Sequence, residues 1–182
     1  MEAPLSRPLR ADAQRNRDRL IETALEAFTT EGADATLDAI AKRAGVGIGT
    51  LYRHFPTREA LVEAVYRNEL AKLCDAVPEL LSTLPPHAAT RVWMDRFVAY
   101  MATKQGMGEA LRAVIASGGD PYAESKDRLT EAMRTLLAAV DRPDVEPLDV
   151  IATIGGIALT VPDVGPADGM LDLVMDGLRY RP

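Results

Sequence analysis

The sequence predicts an all-α protein, and three observations carry that prediction. Apolar residues recur at intervals of three and four rather than two, as on one stripe of a helix. Ala, Leu, Glu and Arg, all strong helix formers, dominate the segments between breaks. The breaks themselves are helix punctuation, with threonine where a helix would begin and glycine or proline where it would end. At 182 residues, 47% apolar and 26% charged, the chain has the make-up of a folded globular protein of one or two domains.

The elements follow in order. Leu20, Ile21, Ala24, Leu25 and Phe28 lie at helical spacing and predict a helix over 16–31, stopped by Gly32. Thr36 is placed to cap a short second helix over 37–44, with Asp38 in its favourable first turn and Gly45 as its stop. A third helix over 48–54 begins after only three residues and is broken by Pro56. Thr57 caps a fourth, carried by Leu61, Val65, Leu70 and Leu73 to about residue 76, where Pro78 should kink or end it. Pro85-Pro86 is a firm break, and further helices are expected near 88–105, 107–116, 121–140, 147–160 and 167–180, about nine in all. The expected organisation is a flexible basic arm over 1–15, a small helical domain over 16–77 and a larger one over 78–182.

The last two helices carry more apolar surface than one core-facing stripe requires. On the first of them only Asp149, Thr153 and Thr160 make a narrow polar sector. On the second, Met170, Leu171, Leu173, Val174, Met175 and Leu178 spread over roughly 200° of the helix. A helix apolar nearly all round is buried on several sides, and in so small a domain the extra sides point to a second copy of the chain. Ile151, Gly155, Gly156, Leu159, Leu171, Val174, Met175 and Leu178 are the expected interface, with the glycines allowing close approach.

Several function classes are excluded or disfavoured. No run of about 18 apolar residues exists to span a membrane, and the N-terminus lacks the apolar core of a secretory signal. A single cysteine, Cys74, fits a reducing cytoplasm, and a packed thiol is a better reading of it than a redox sensor. His54 and His87, the two histidines, stand in separate elements, so no metal site is expected. No nucleophile elbow, P-loop or dinucleotide fingerprint is present, which argues against an enzyme and calls for no cofactor. The net charge of −6 hides an asymmetry: residues 1–58 carry nine Lys/Arg against eight Asp/Glu, residues 71–182 eleven against sixteen. Arg7, Arg10, Arg15, Arg17 and Arg19 fall within the first nineteen residues, so only the N-terminal third suits a polyanion.

That third also holds the informative motif. Two short helices joined by a tight turn at Gly45 are the helix-turn-helix plan. Leu37, Ile40, Ala41, Ala44, Val46 and Leu51 would lock them together, leaving Ile48, Thr50, Tyr52, Arg53 and His54 exposed to a major groove.

Residues 16–61 resemble the DNA-binding domain of the TetR family of transcriptional regulators. The resemblance runs from Leu20-Ile21 through Phe28 and Gly32 to Thr36-Leu37-Asp38-Ala39-Ile40-Ala41 and Ala44-Gly45-Val46. It closes with Gly49-Thr50-Leu51-Tyr52-Arg53-His54-Phe55-Pro56-Thr57-Arg58-Glu59-Ala60-Leu61. By this resemblance Thr36, Tyr52, His54 and Arg58 would contact phosphates or sugars, and Ile48, Gly49, Thr50 and Arg53 would approach base edges. The leading arginines would lie along the minor groove. Gly47 stands where the family often carries serine, which weakens the N-cap of the recognition helix. The resemblance further implies a cytoplasmic homodimer that binds double-stranded DNA at an inverted repeat, without contact with a membrane, and is released by a small-molecule effector. For a mainly apolar effector the candidate residues are Trp93, Phe97, Tyr100, Met101, Met107, Leu111, Tyr122 and Met133, although ordinary core packing accounts for most of them. The alternative is a helical small-molecule-binding or carrier protein that retains the helix-turn-helix only as scaffold.

Overall fold

The structure, a computed structural model, describes residues 6–164 and 166–180, with the side chains of 6–10, 33 and 162–164 left undescribed. The described chain is helical throughout: α1 (Ser6–Thr30), a 3-10 turn (Gly32–Asp34), α2 (Leu37–Arg43), α3 (Ile48–His54), α4 (Arg58–Asp75) and α5 (Val77–Thr83) come first. They are followed by α6 (Pro86–Gly106), α7 (Gly108–Ala116), α8 (Ser125–Ala139), α9 (Pro147–Val164) and α10 (Asp168–Arg179). No helix among the described residues is long and apolar enough to cross a membrane.

The sequence pattern does not anticipate α5. Pro78 ends α4, as expected, but the same residue sits in the first turn of the next helix, where its missing N–H removes no intrahelical bond. At the other end, α1 begins ten residues before the expected start. The arm expected over 1–15 is therefore helical from Ser6, and residues 1–5 lie outside the described ones. The reason is local pairing at helical spacing: Arg15 donates to Asp12, Gln14 to Asp18 at 2.8 Å and Arg19 to Asn16 at 2.5 Å. Such contacts hold a polar helix that has no apolar stripe to announce it.

The chain divides into two compact units. The first holds the described residues up to Asn68 together with Gly106–Pro121; the second holds Glu69–Gln105 and the described residues from Tyr122 onward. These compact units differ from the expected division at 77/78 in two ways. The division falls inside α4, because a proline break marks the end of a helix and not of a packing unit. A mid-chain segment containing α7 also joins the N-terminal helices. Met107, Ala110, Leu111 and Val114 bury the apolar side of that segment.

In the first unit the core is built on Leu20, Ile21, Ala24, Ala27 and Phe28 of α1, with Ile40, Leu51, Phe55, Leu61 and Val65. Gly106 lies against Thr29, with room for a Cβ only at close contact, 3.4 Å from the threonine methyl. The stop after α7 is a paired-bond cap: Gly118 at φ 90° donates to Ile115 and Gly119 donates to Val114, both at 3.0 Å. A Cβ on Gly119 would meet side-chain atoms of Val114 and Glu63 at 2.7 Å, so any larger residue there would force them to shift.

In the second unit α8 packs on α9 and α5, and α10 packs on α9. Trp93 is the largest side chain of its core; its ring lies 5.7 Å from that of Phe97 and its Nε1 donates to the Leu73 carbonyl at 3.0 Å. Two arginines fasten α10. Arg91 on α6 donates to Asp168 and Asp172 near its start and to Asp95 on its own helix. Burial opposes the charge on Arg91, but the three carboxylates outweigh it and raise its pKa above the ordinary value. Arg142, in the loop after α8, donates to the carbonyls of Gly177, Leu178 and Tyr180 at the end of α10, and to Asp144. A cation there satisfies terminal carbonyls and opposes the negative end of the helix dipole.

Candidate nucleic-acid interface

The interface begins with a cap and a turn. Thr36 has extended backbone angles and its hydroxyl accepts from the Ala39 N–H at 3.2 Å, which starts α2 where the sequence places it. Asp38 stands in the first turn, Lys42 and Arg43 in the last, each favourably toward the helix dipole. At the far end Gly45 turns left-handed, φ 68°, donating to Lys42 at 3.1 Å while Val46 donates to Ala41 at 3.0 Å. This double bond is what fixes the turn of the motif, and a side chain at Gly45 would strain it. Arg43 reaches back to Glu31 at 2.6 Å and ties α2 to the end of α1.

Leu51 and Phe55 face inward and are buried, which sets the roll of α3. The opposite face is left outside. Ile48 is 37% exposed and Tyr52 49%, so each leaves part of a large side chain in solvent. Gly47, Gly49 and Arg53 are exposed, and Thr50 and His54 are half-buried. A Cβ on either Gly47 or Gly49 would meet nothing within 4 Å, and neither has a left-handed backbone. These glycines are therefore not required by packing or conformation; they leave the backbone on each side of Ile48 open to close approach. Gly47 caps α3 without any side-chain bond, as its lack of a hydroxyl dictates.

Arg58 is placed differently from the expectation. Its guanidinium turns inward, donating to the carbonyls of Ala35 and of Gly32, and lies 4.9 Å from the centre of the Phe28 ring. Those carbonyls belong to the connection between α1 and α2, so Arg58 braces the approach to the motif. Arg17 lies within the helix expected over 16–31, and its guanidinium is 5.5 Å from the Phe55 ring centre, in a cleft of about 410 Å³ shared with His54, Arg67 and Asn68. The side chains of Arg7 and Arg10 lie outside the described ones.

This arrangement can be compared with known proteins. The pattern of the DNA-binding domain of bacterial regulatory proteins of the tetR family matches residues 20–65, and that of the SbtR-like transcriptional-regulator C-terminal domain matches residues 85–180. The chain belongs to the TetR family. A TetR transcriptional regulator from Streptomyces coelicolor has the same fold at a TM-score of 0.80, with 50% identity over 89% of this chain and 97% of that one. A TetR regulatory protein from Mycobacterium vanbaalenii superposes at 0.77, with 34% identity over 95% and 100%. The HTH-type regulator SrpR of Pseudomonas putida is 40% identical over 78 residues, 42% of this chain, and the chain spans only 37% of that protein's length.

In this TetR-family chain the expected effector residues do not form one lining. Met107 and Leu111 belong to the first unit and are buried there. Trp93, Phe97 and Met133 are packed in the core of the second unit. Met101 is half-buried, and Tyr122 carries the Lys104 ammonium 4.3 Å above its ring, where burial lowers the lysine pKa. Tyr100 borders a cavity of about 250 Å³ lined also by Glu69, Lys72, Leu73, Arg96, Ala99 and Thr103. The expected interface residues divide as well. Leu171, Met175 and Leu178 are buried within the protomer, because one side of the broad apolar sector of α10 faces its own core. Ile151, Gly155 and Val174 are half-buried, Gly156 is exposed, and Leu159 and Leu173 are 59% and 73% exposed.

Proposed function

We propose that this TetR-family protein is a homodimeric repressor, which holds an inverted-repeat operator and releases it when a small molecule binds the second unit. The observation that carries the reading is the outward face of α3: Ile48, Tyr52 and Arg53 stand in solvent while Leu51 and Phe55 of the same helix are buried. A scaffold helix has no reason to expose an isoleucine and a tyrosine beside two glycines, whereas a groove-reading helix does. Tyr52, His54 and the hydroxyl of Thr36 face phosphates in this reading; Ile48, Gly49, Thr50 and Arg53 face bases.

Dimerisation rests on the second apolar faces of α9 and α10, where Ile151, Ala152, Gly155, Gly156 and Leu159 meet Leu173 and Val174 of a symmetry mate or their own counterparts. Two-fold pairing presents two recognition helices to successive major grooves, hence the inverted repeat. The effector site lies beside Tyr100, where the cavity combines Leu73 and Ala99 with the polar Lys72, Arg96 and Thr103. The protein works in the cytoplasm, where its DNA is.

The test is selection of bound sequences from a random duplex pool, repeated across a salt series. A symmetric site should emerge, with affinity falling steeply as salt rises, since each neutralised phosphate contributes about −0.9 to the log–log slope. By linkage, a bound effector lowers DNA affinity by the same factor that DNA lowers effector affinity, about 1–3 kcal/mol for a typical coupling. An asymmetric single half-site bound independently of salt would overturn the reading. So would a wild-type protein that sediments as a monomer at micromolar concentration.

A further inference from the structure

We propose that Thr50 is a positioning residue for Arg53, and that the pair reads a guanine in each operator half-site. This rests on the operator-binding reading above. The Arg53 guanidinium is not loose in solvent: its Nη2 donates to the Thr50 hydroxyl at 2.9 Å, and its Nε makes a longer contact, 3.4 Å, to the Gly49 carbonyl. Both acceptors lie along α3 itself, three and four residues back, so the side chain is folded onto the recognition helix. No carboxylate pairs with Arg53 among the described residues, and the residue is exposed. Its charge therefore faces outward without a partner of opposite sign among the described residues.

The choice of donors decides what can be read. Nε and Nη2 form one edge of the planar guanidinium, and that edge is taken by Gly49 and Thr50. The other edge, formed by Nη1 and the remaining Nη2 hydrogen, stays open as a two-pronged donor. Guanine presents two acceptors, O6 and N7, to the major groove, and such a fork meets both. Adenine and cytosine put a donor where one prong would go, and thymine offers a single acceptor beside its methyl group. A side chain already held in place loses less conformational freedom on binding, so the threonine adds selectivity through the arginine it holds. A phosphate also presents two acceptors to a fork, but a phosphate contact would carry no base identity.

The experiment selects bound duplexes from a random pool with the wild type and with T50V, T50S and R53K, each checked for unchanged helicity and thermal midpoint. The wild type is expected to fix a guanine at one position per half-site, preferred on the order of ten- to a hundredfold. T50V, which keeps shape but removes the acceptor, should flatten that position to under about threefold. R53K should flatten the same position, since an ammonium has no fork, and T50S should restore the wild-type preference. If T50V keeps the guanine preference, or flattens a different position from R53K, Thr50 does not position Arg53. If R53K weakens all sequences alike, the fork holds a phosphate and the proposal fails. A wild type that enriches no sequence at all overturns the operator reading itself, a result distinct from either of these.

Discussion

The two units of the chain use their large side chains in opposite ways. In the first, Ile48, Tyr52 and Arg53 stand on the exposed side of α3, away from the core that Leu51 and Phe55 enter. In the second, the aromatic and sulfur-bearing residues that suit a ligand cavity are taken up by the core: Trp93 lies tilted against Phe97, bonds Leu73, and is fully buried with Met133. The difference is one of competition. A groove-reading face must be polar or exposed, so the fold and the function draw on different residues. An apolar effector site draws on the same residues as the core, and the sequence alone does not separate the two claims.

The sharpest way to break this comparison is to truncate one residue from each side of it. Trp93→Ala should cost about 3–5 kcal/mol of stability, the range for removing a buried aromatic, in a denaturant titration. Ile48→Ala should stay within about 0.5 kcal/mol, because an exposed side chain has little to lose on unfolding. A loss under about 1 kcal/mol at Trp93 would mean that its surroundings are open space, and would return it to the effector lining.

Legibility follows the same division. The helix-turn-helix was readable because each of its parts has a chemical signature: Thr36 as cap, glycine at the Gly45 turn, and the apolar Leu51 and Phe55 four residues apart on one side of α3. What was not readable lay in long-range packing. Nothing in Met107 or Leu111 says that α7 joins the N-terminal helices; their spacing marks an apolar face, and any apolar partner would satisfy it. The inward turn of Arg58 was not legible for a related reason. A basic residue at the start of a helix beside the motif has a phosphate as its obvious partner, and the competing carbonyls lie more than twenty residues earlier. On α10 the roughly 200° apolar sector was correctly unusual. Which side of it faced the protomer's own core depended on the roll of the helix, which Leu171, Met175 and Leu178 settle.

Arg58 and Tyr52 give the next comparison. Removing the Arg58 guanidinium strands the Ala35 and Gly32 carbonyls and ends the contact with Phe28. Arg58→Ala should therefore lower stability by about 2 kcal/mol, as for hydrogen bonds from a charged donor. Tyr52→Ala should leave the unfolding midpoint near that of the wild type while weakening DNA binding across all sequences. An Arg58→Ala protein as stable as the wild type, with weakened DNA binding, would restore the phosphate role.

Cys74 sharpens the contrast from the second unit. Burial pushes its thiol up to about 11, with Arg128 opposing and Asp75 adding to the rise. Below pH 9 the folded thiol holds its proton more tightly than the unfolded one, so thiolate is scarcer by about a hundredfold for a shift of this size. The rarer thiolate is also more nucleophilic, which returns roughly half of that on a logarithmic scale. Alkylation at pH 8 should thus run about tenfold slower in the folded protein than in denaturant. The folded rate should keep rising with pH toward 11, after the unfolded rate has levelled near 9. Equal rates at pH 8 would show a thiol more reactive than its burial allows.

The smallest expected effect falls on Gly47, at the start of α3. Its backbone is already extended, φ −71° and ψ 148°, the conformation of an N-cap, and no side chain bonds the exposed N–H groups of the first turn. A Cβ there meets nothing within 4 Å, so serine enters without strain and its hydroxyl can accept from the first turn. Gly47→Ser should raise stability by a few tenths of a kcal/mol, since glycine is already a tolerable cap. On DNA the same hydroxyl stands at the end of the recognition helix nearest the turn, where a phosphate contact would raise affinity for every sequence equally. The informative result is therefore the pattern, not the size. A uniform gain in affinity with an unchanged operator assigns position 47 to the backbone of the duplex. A changed base preference would place the start of α3 deeper in the groove than Ile48 and Gly49 imply.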